Sequence, residues 1–142
     1  MKTTEVTLTQ AQEAFYKKIL NQVKIVEEAL AKPISVNDPE ALVIELGHRL
    51  ERLADSAELL AGATLVYDYA KGKVAILVLE EASLTGAKQD ILKLYIQGKL
   101  AKYNALYVRV EAAVKDLRNS IDGIRSLLSY ERELVRNNVN QL

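Results

Sequence analysis

The fold is decided by the stretch from Ile96 to Leu128, which reads IQGKLAKYNALYVRVEAAVKDLRNSIDGIRSLL. Its apolar residues recur in alternating steps of four and three, a spacing typical of a helix that packs on another helix. This seam consists of Ile96, Leu100, Tyr103, Tyr107, Val110, Val114, Leu117, Ile121, Ile124 and Leu128. No proline interrupts residues 87–136, so the pattern predicts one helix over that range, roughly 75 Å long at the standard rise.

Two further helices are predicted on the N-terminal side of this one. Thr9 is an expected N-cap for a helix over about 9–31, which ends because Pro33 disfavours helical geometry in the residue before it. Asp38-Pro39 then predicts the start of a second helix, over about 39–81, after an extended linker. The second helix carries an apolar seam at Leu46, Leu50, Leu53, Ala57, Leu60, Thr64 and Tyr67.

The end of the second helix has an alternative interpretation. Residues 64–79 are rich in Val, Ile and Tyr, and Lys71-Gly72 is a candidate two-residue turn, so this segment also fits a β-hairpin. We favour the helix, because Ala61, Ala63, Ala70 and Ala75 are good helix formers and an isolated hairpin is only marginally stable.

The predicted architecture is all-α, in a single domain. One short N-terminal helix joins two long antiparallel helices in an elongated hairpin or bundle with coiled-coil-like packing. The first helix covers less than half the length of the third, so much of the apolar stripe is left uncovered and we expect a homo-oligomer. The third-helix seam is the expected contact between copies. Gly62, between alanines, is the best candidate for a close approach of helices.

Composition narrows the classes of function. The chain of 142 residues has no cysteine, a single histidine and a net charge of zero. Zero charge argues against a general nucleic-acid binder. The N-terminal residues resemble no signal peptide, and the longest apolar run, Val74–Leu79, is too short to span a bilayer. We therefore expect a cytoplasmic protein that needs no cofactor and does not act at a membrane.

One pair of residues in the second helix has the spacing of a metal-binding motif. Glu45 and His48 form a Glu-x-x-His pair, which di-iron helical bundles combine with further glutamates such as Glu27 or Glu28. Both residues fall off the seam of the second helix, however, so the pattern favours a solvated face over a ferritin-like centre. The chain has no phosphate-binding loop and no nucleophile motif. No catalytic residue and no metal ligand is predicted.

Lysines and tyrosines are interleaved around the turn between the two long helices. The candidate partner-binding residues are Lys71, Lys73, Lys99, Lys102, Tyr69 and Tyr95. Such residues suit an anionic partner, because the ammonium groups bind phosphate while rings stack on bases. The same pattern also fits core tyrosines beside solvated lysines.

The run IDGIRSLLSYERE from Ile121 to Glu133 resembles the C-terminal part of small helical proteins encoded in phage and prophage early regions, and 61–73 is similar in character. The resemblance implies an accessory protein that acts on DNA metabolism or on a host factor, including defence systems. We therefore expect a non-enzymatic, homo-oligomeric protein that binds another macromolecule, most simply a protein. Binding of nucleic acid or of a phosphate-bearing small molecule at the lysine–tyrosine end is the alternative.

Overall fold

The computed structural model describes residues 6–81 and 86–140, which form three α-helices: α1 (Gln10–Ala31), α2 (Pro39–Glu80) and α3 (Gln89–Asn140). The all-α prediction is confirmed. None of the described helices combines the length and the hydropathy that a membrane-spanning helix requires.

Local capping chemistry defines where α1 and α2 begin. The backbone N–H of Gln12 donates to Thr9 Oγ1 at 3.2 Å, and the backbone N–H of Thr9 donates to Gln12 Oε1 at 3.0 Å, which completes a capping box. At α2, Asp38 Oδ1 accepts a hydrogen bond from the Ala41 N–H at 3.2 Å, and Pro39 occupies the first helical position. Between the two helices Lys32 adopts an extended conformation before Pro33.

Two sequence-based expectations about helix extent are decided by the structure. Residues 64–79 are helical throughout, so the alternative β-hairpin is wrong. The third helix continues to Asn140 and not only to 136. The polar tail 137–140 contains neither proline nor glycine, so nothing in it stops the hydrogen-bonding pattern of the preceding turns.

The long helices α2 and α3 pack against each other most extensively, and α1 contacts both. The α3 seam is buried as predicted at Leu100, Tyr103, Val110, Val114, Leu117, Ile121 and Ile124. The buried positions of α2 differ from the predicted seam: they are Leu42, Arg49, Ser56, Leu59, Gly62, Ala63, Val66, Ala70 and Val74. The helix α2 has two apolar stripes, and the stripe that is buried in the core contains Arg49 and Ser56.

The position of α1 is fixed by three kinds of contact. Tyr16 makes an edge-to-face contact with Tyr103 of α3 at 5.6 Å between ring centroids. Gly62 of α2 lies so close to α1 that a Cβ built on it would overlap the side chain of Ile19. The predicted role of Gly62 in close helix packing is therefore confirmed. With 22 residues against 52 in α3, α1 covers only part of the hairpin.

Candidate interaction surfaces

The predicted lysine–tyrosine residues lie in the half of the bundle that contains the turn, and three of the lysines lie over rings of the same chain. Lys71 Nζ is 4.8 Å from the centroid of Tyr67 and 3.1 Å from Asp68 Oδ1. Lys99 Nζ is 5.5 Å from the centroid of Tyr95. Lys102 Nζ is 4.7 Å from the centroid of Tyr16 in α1. Cation–π contacts of this kind stabilise the fold whether or not a ligand is bound.

These lysines do not converge on one ring or one groove. Lys102 lies against α1, whereas Lys71 lies beside Tyr67, which pairs with Tyr107 across the α2–α3 interface at 6.4 Å. Lys73 and Tyr95 are half-buried, and Tyr69 packs against the hydrophobic core. The structure thus places the candidate residues at one end of the molecule but on different sides of it.

An ion pair between α1 and α3 was not foreseen from the sequence. Arg109 Nε donates to both carboxylate oxygens of Glu27, at 2.9 and 3.0 Å, and a second guanidinium nitrogen also donates to this carboxylate. These hydrogen bonds raise the pKa of Arg109 above its ordinary value. The two residues are 82 positions apart, so no local spacing could have indicated the pair.

The glutamates of the hypothetical metal site are engaged elsewhere. Glu45 accepts a hydrogen bond from Arg49 Nε at 2.9 Å and lies 3.9 Å from His48 Nδ1, while Glu27 is held by Arg109. Across residues 6–81 and 86–140, no group of three or more potential metal ligands comes together. His48 itself is exposed.

Arg49 is the main polar residue of the core and was also missed from the sequence. Its side chain is 3% exposed, and within the described residues its Nη2 atom is buried without a hydrogen-bond partner. Burying an incompletely satisfied guanidinium costs free energy. The only sequence feature that indicated burial of Arg49 was its position one heptad after Leu42 and one heptad before Ser56. The neighbouring stripe of α2 is more apolar and was therefore predicted to be buried instead.

A groove of about 340 Å³ lies between α1 and α2, and is lined by Gln22, Ile25, Val26, Arg52, Asp55, Ser56, Glu58 and Leu59. Its volume is at the lower limit for small-molecule sites, which are typically about 300–1,000 Å³. Its charged side chains are of both signs, so it has no marked preference for an anion or a cation.

The residues expected to join copies of the chain are used within the chain. Tyr103, Val110, Val114, Leu117, Ile121 and Ile124 are buried in a single copy, and Tyr107 and Leu128 are half-buried. A second copy would therefore have to bind apolar surface that remains exposed.

Exposed apolar side chains are present on the two helix ends that flank the turn. We call the exposed residues Ile76 and Leu79 at the end of α2, with Ile91 and Leu94 at the start of α3, the turn-end patch. Leu79 is 87% exposed and Leu94 is 69% exposed. Residues 74–79 are apolar on every side of the helix, and Ile76 and Leu79 among them are left uncovered by the described residues of this chain.

A second exposed surface runs along α2. Val43, Leu50, Ala57 and Thr64 recur every seven residues and are exposed, and Leu46, Leu53 and Leu60 beside them are half-buried. We call these seven residues the outer face of α2. It contains the predicted α2 seam except Tyr67, and the structure turns it away from α1: Thr64 is exposed, whereas Gly62, two residues away, is buried against Ile19.

Comparison of the chain with protein-family models, with curated proteins and with solved structures found no match. Function has to be argued from the residues themselves.

Proposed function

We propose that this is a non-enzymatic helical protein that associates with itself and acts by binding another macromolecule. The observation that carries the proposal is the area of exposed surface. The chain exposes 10060 Å² at a mass of 15.8 kDa, whereas a compact monomer of that mass exposes about 7,300 Å². The excess of about 2,700 Å² exceeds the roughly 800 Å² that each partner contributes to a standard interface.

The character of the exposed surface supports the same proposal. Large apolar side chains are exposed at both the turn-end patch and the outer face of α2. Extended apolar patches on a soluble domain typically mark sites of protein–protein contact. Two separate surfaces permit two uses, one for self-association and one for a different partner.

We assign the turn-end patch to the macromolecular partner, and we propose that this partner is a protein. The patch combines exposed apolar residues with the neighbouring lysines Lys88 and Lys93. Apolar anchors surrounded by charged side chains are typical of protein interfaces. The resemblance of Ile121–Glu133 to phage early-region proteins makes a host factor, including one from a defence system, the first kind of partner to search for.

The test compares capture of a partner by matched variants. Leu79→Asp places a charge at the most exposed apolar residue of the patch, and Val108→Asp places the same charge at an exposed valine on the middle of α3. We expect the parent and Val108→Asp to retain one protein from host lysate, and Leu79→Asp to lose it while keeping its helical circular dichroism. Equal capture by all three would contradict the assignment of the patch.

The lysines provide a second arm of the same experiment. Reversing Lys71 and Lys99 to Glu should leave capture of a protein through the turn-end patch intact, since both lysines already contact tyrosines of their own chain. Loss of capture, together with salt-dependent binding of a single-stranded oligonucleotide by the parent, would favour an anionic ligand at the lysine–tyrosine end.

A further inference from the structure

The outer face of α2 has the sequence pattern of a two-stranded coiled coil. The positions separated by seven residues are Val43, Leu50, Ala57 and Thr64, and the positions three residues after the first three are all leucine: Leu46, Leu53 and Leu60. In parallel coiled coils, leucine at the second type of position and β-branched residues at the first favour two strands, and Val43 and Thr64 are the β-branched residues here. None of the seven residues of this face is charged, and the next position of the seven-residue repeat after Thr64 is Lys71.

Small residues flank the outer face along one side. Gly47, Ala54 and Ala61 also recur every seven residues, and each is exposed. A Cβ added to Gly47 would meet nothing within 4 Å, so packing within the chain does not explain a glycine that costs about 1 kcal/mol in a helix. Small side chains at these positions leave room for a further helix to approach.

Two glutamates lie on one side of the face and two arginines lie on the other. On the side of α1, Glu58 lines the groove between α1 and α2, and Glu51 lies one heptad before it. On the side of α3, Arg118 and Arg125 are exposed, and they lie about three and five helical turns after Tyr107, which contacts Tyr67 of α2. The side of α1 therefore carries two glutamates, next to a groove that also contains Arg52, and the side of α3 carries two arginines on the same stripe as Glu111.

These charged residues also lie at matching heights along the bundle. Tyr67 and Tyr107 contact each other, and α2 and α3 run in opposite directions, so Glu58 is level with residue 116 and Glu51 with residue 123. Arg118 and Arg125 lie two residues further on, which is about 3 Å along the helix axis. A twofold rotation about an axis parallel to the bundle keeps the position of each residue along that axis and exchanges the α1 side with the α3 side. It would therefore bring each glutamate to an arginine of the other copy.

We propose that the outer face of α2 binds the same face of a second copy, with the two helices parallel and in register. A twofold axis along the bundle pairs Glu51 with Arg125 of the second copy and Glu58 with Arg118 of the second copy. It also places the second copy's α3 over Gly47, Ala54 and Ala61. An antiparallel pairing would instead bring the glutamates of the two copies to one side and their arginines to the other, which like-charge repulsion disfavours. This inference rests on the self-association proposed above.

The interface is tested with charges at exposed alanines. Ala57 lies on the outer face, and Ala112 is an exposed alanine on α3 that serves as the matched control. We expect the parent and Ala112→Glu to have twice the monomer mass by light scattering at micromolar concentration, and Ala57→Glu to have the monomer mass with unchanged helical circular dichroism. Val43→Asp, at the other end of the face, should behave as Ala57→Glu does.

The orientation is tested by cross-linking, because the chain has no cysteine. In a parallel pair, two chains of the Val43→Cys variant should form a disulfide with each other under mild oxidation, and so should two chains of the Thr64→Cys variant. A mixture of the two variants should give few disulfide-linked dimers that contain one chain of each. Efficient cross-linking only in the mixture would overturn the parallel arrangement. Arg125→Glu should weaken the dimer about two- to five-fold, as expected for an exposed ion pair, and adding Glu51→Arg should restore it.

The outcomes separate this inference from the proposed function. A parent protein that is monomeric at all concentrations refutes self-association itself. A dimeric parent whose mass is unchanged by both Ala57→Glu and Val43→Asp refutes only the assignment of the face. The Leu79→Asp variant should remain dimeric, since the turn-end patch is not used between copies, and its dissociation would also contradict the assignment.

Discussion

Replacing Gly62 by alanine should destabilise the protein although alanine is the better helix former. A Cβ at this position would overlap Ile19 Cδ1 and lie 3.3 Å from Ile19 Cγ1 and 3.4 Å from Phe15 Cζ. Alanine gains about 1 kcal/mol over glycine in a helix interior, while forcing an extra methyl group into a packed interface costs about 1–3 kcal/mol. The net change in the free energy of unfolding should therefore lie between about 0 and −2 kcal/mol.

The control is Gly123→Ala in α3. A Cβ at Gly123 would meet nothing within 4 Å, so only the gain in helix propensity remains and stability should rise by about 1 kcal/mol. Urea denaturation followed by circular dichroism at one fixed protein concentration gives both values. The difference between the two substitutions, about 1–3 kcal/mol, measures the cost of displacing α1.

A double-mutant cycle identifies the responsible contact. Ile19→Val removes the Cδ1 atom that a Cβ at Gly62 would overlap, and by itself costs about 0.5–1.5 kcal/mol. Combined with Gly62→Ala it should cost less than the sum of the two single changes, by about 1 kcal/mol. If Gly62→Ala stabilises the protein as much as Gly123→Ala does, the Ile19 side chain gives way without cost and the predicted penalty at this contact is refuted.

Three further predictions follow from buried or hydrogen-bonded side chains. Leu117→Ala and Ile121→Ala should each lower the free energy of unfolding by about 2–5 kcal/mol, because both residues are almost fully buried; a parent-like urea midpoint would show that they are not. Arg49→Met should raise the melting temperature, since it removes the buried, incompletely bonded guanidinium, and a lower melting temperature would mean that Arg49 is better satisfied than described. The hydrogen bond from Tyr107 to Glu111 raises the pKa of Tyr107. The contribution of this bond to stability is therefore present below the ordinary tyrosine pKa and is lost as the pH rises through the raised pKa. Glu111→Ala should lower the pKa of Tyr107 in a spectrophotometric titration, and an unchanged titration would show that the bond is absent.

The bounds of α1 and the start of α2 could be predicted from the sequence because they depend on local chemistry. Thr9, Asp38 and Pro39 begin helices through their own side chains or ring, and Pro33 ends one through the residue before it. The α3 seam was also predicted correctly, since α3 has one dominant apolar stripe and therefore only one face that can be buried at low cost.

The buried face of α2 could not be predicted in the same way. The outer face is the more apolar stripe, yet the core uses the stripe with Arg49 and Ser56. The choice depends on the total packing of three helices. The small residues Gly62, Ala63 and Ala70 lie on the buried stripe, and the close approach of Ile19 to Gly62 requires such a small residue. Hydrophobicity alone ranks the two stripes in the opposite order.

The sequence by itself thus determined the all-α class, the three helices, the N-caps of α1 and α2 and the seam of α3, because each of these follows from contacts within a few residues or from one helical period. Only the tertiary structure decided which stripe of α2 is buried, where α1 lies, that Glu27 binds Arg109, and that the turn-end patch and the outer face of α2 remain exposed. These features depend on residues far apart in the chain, whose distances are set when whole helices pack and not by the spacing of residues along any one of them.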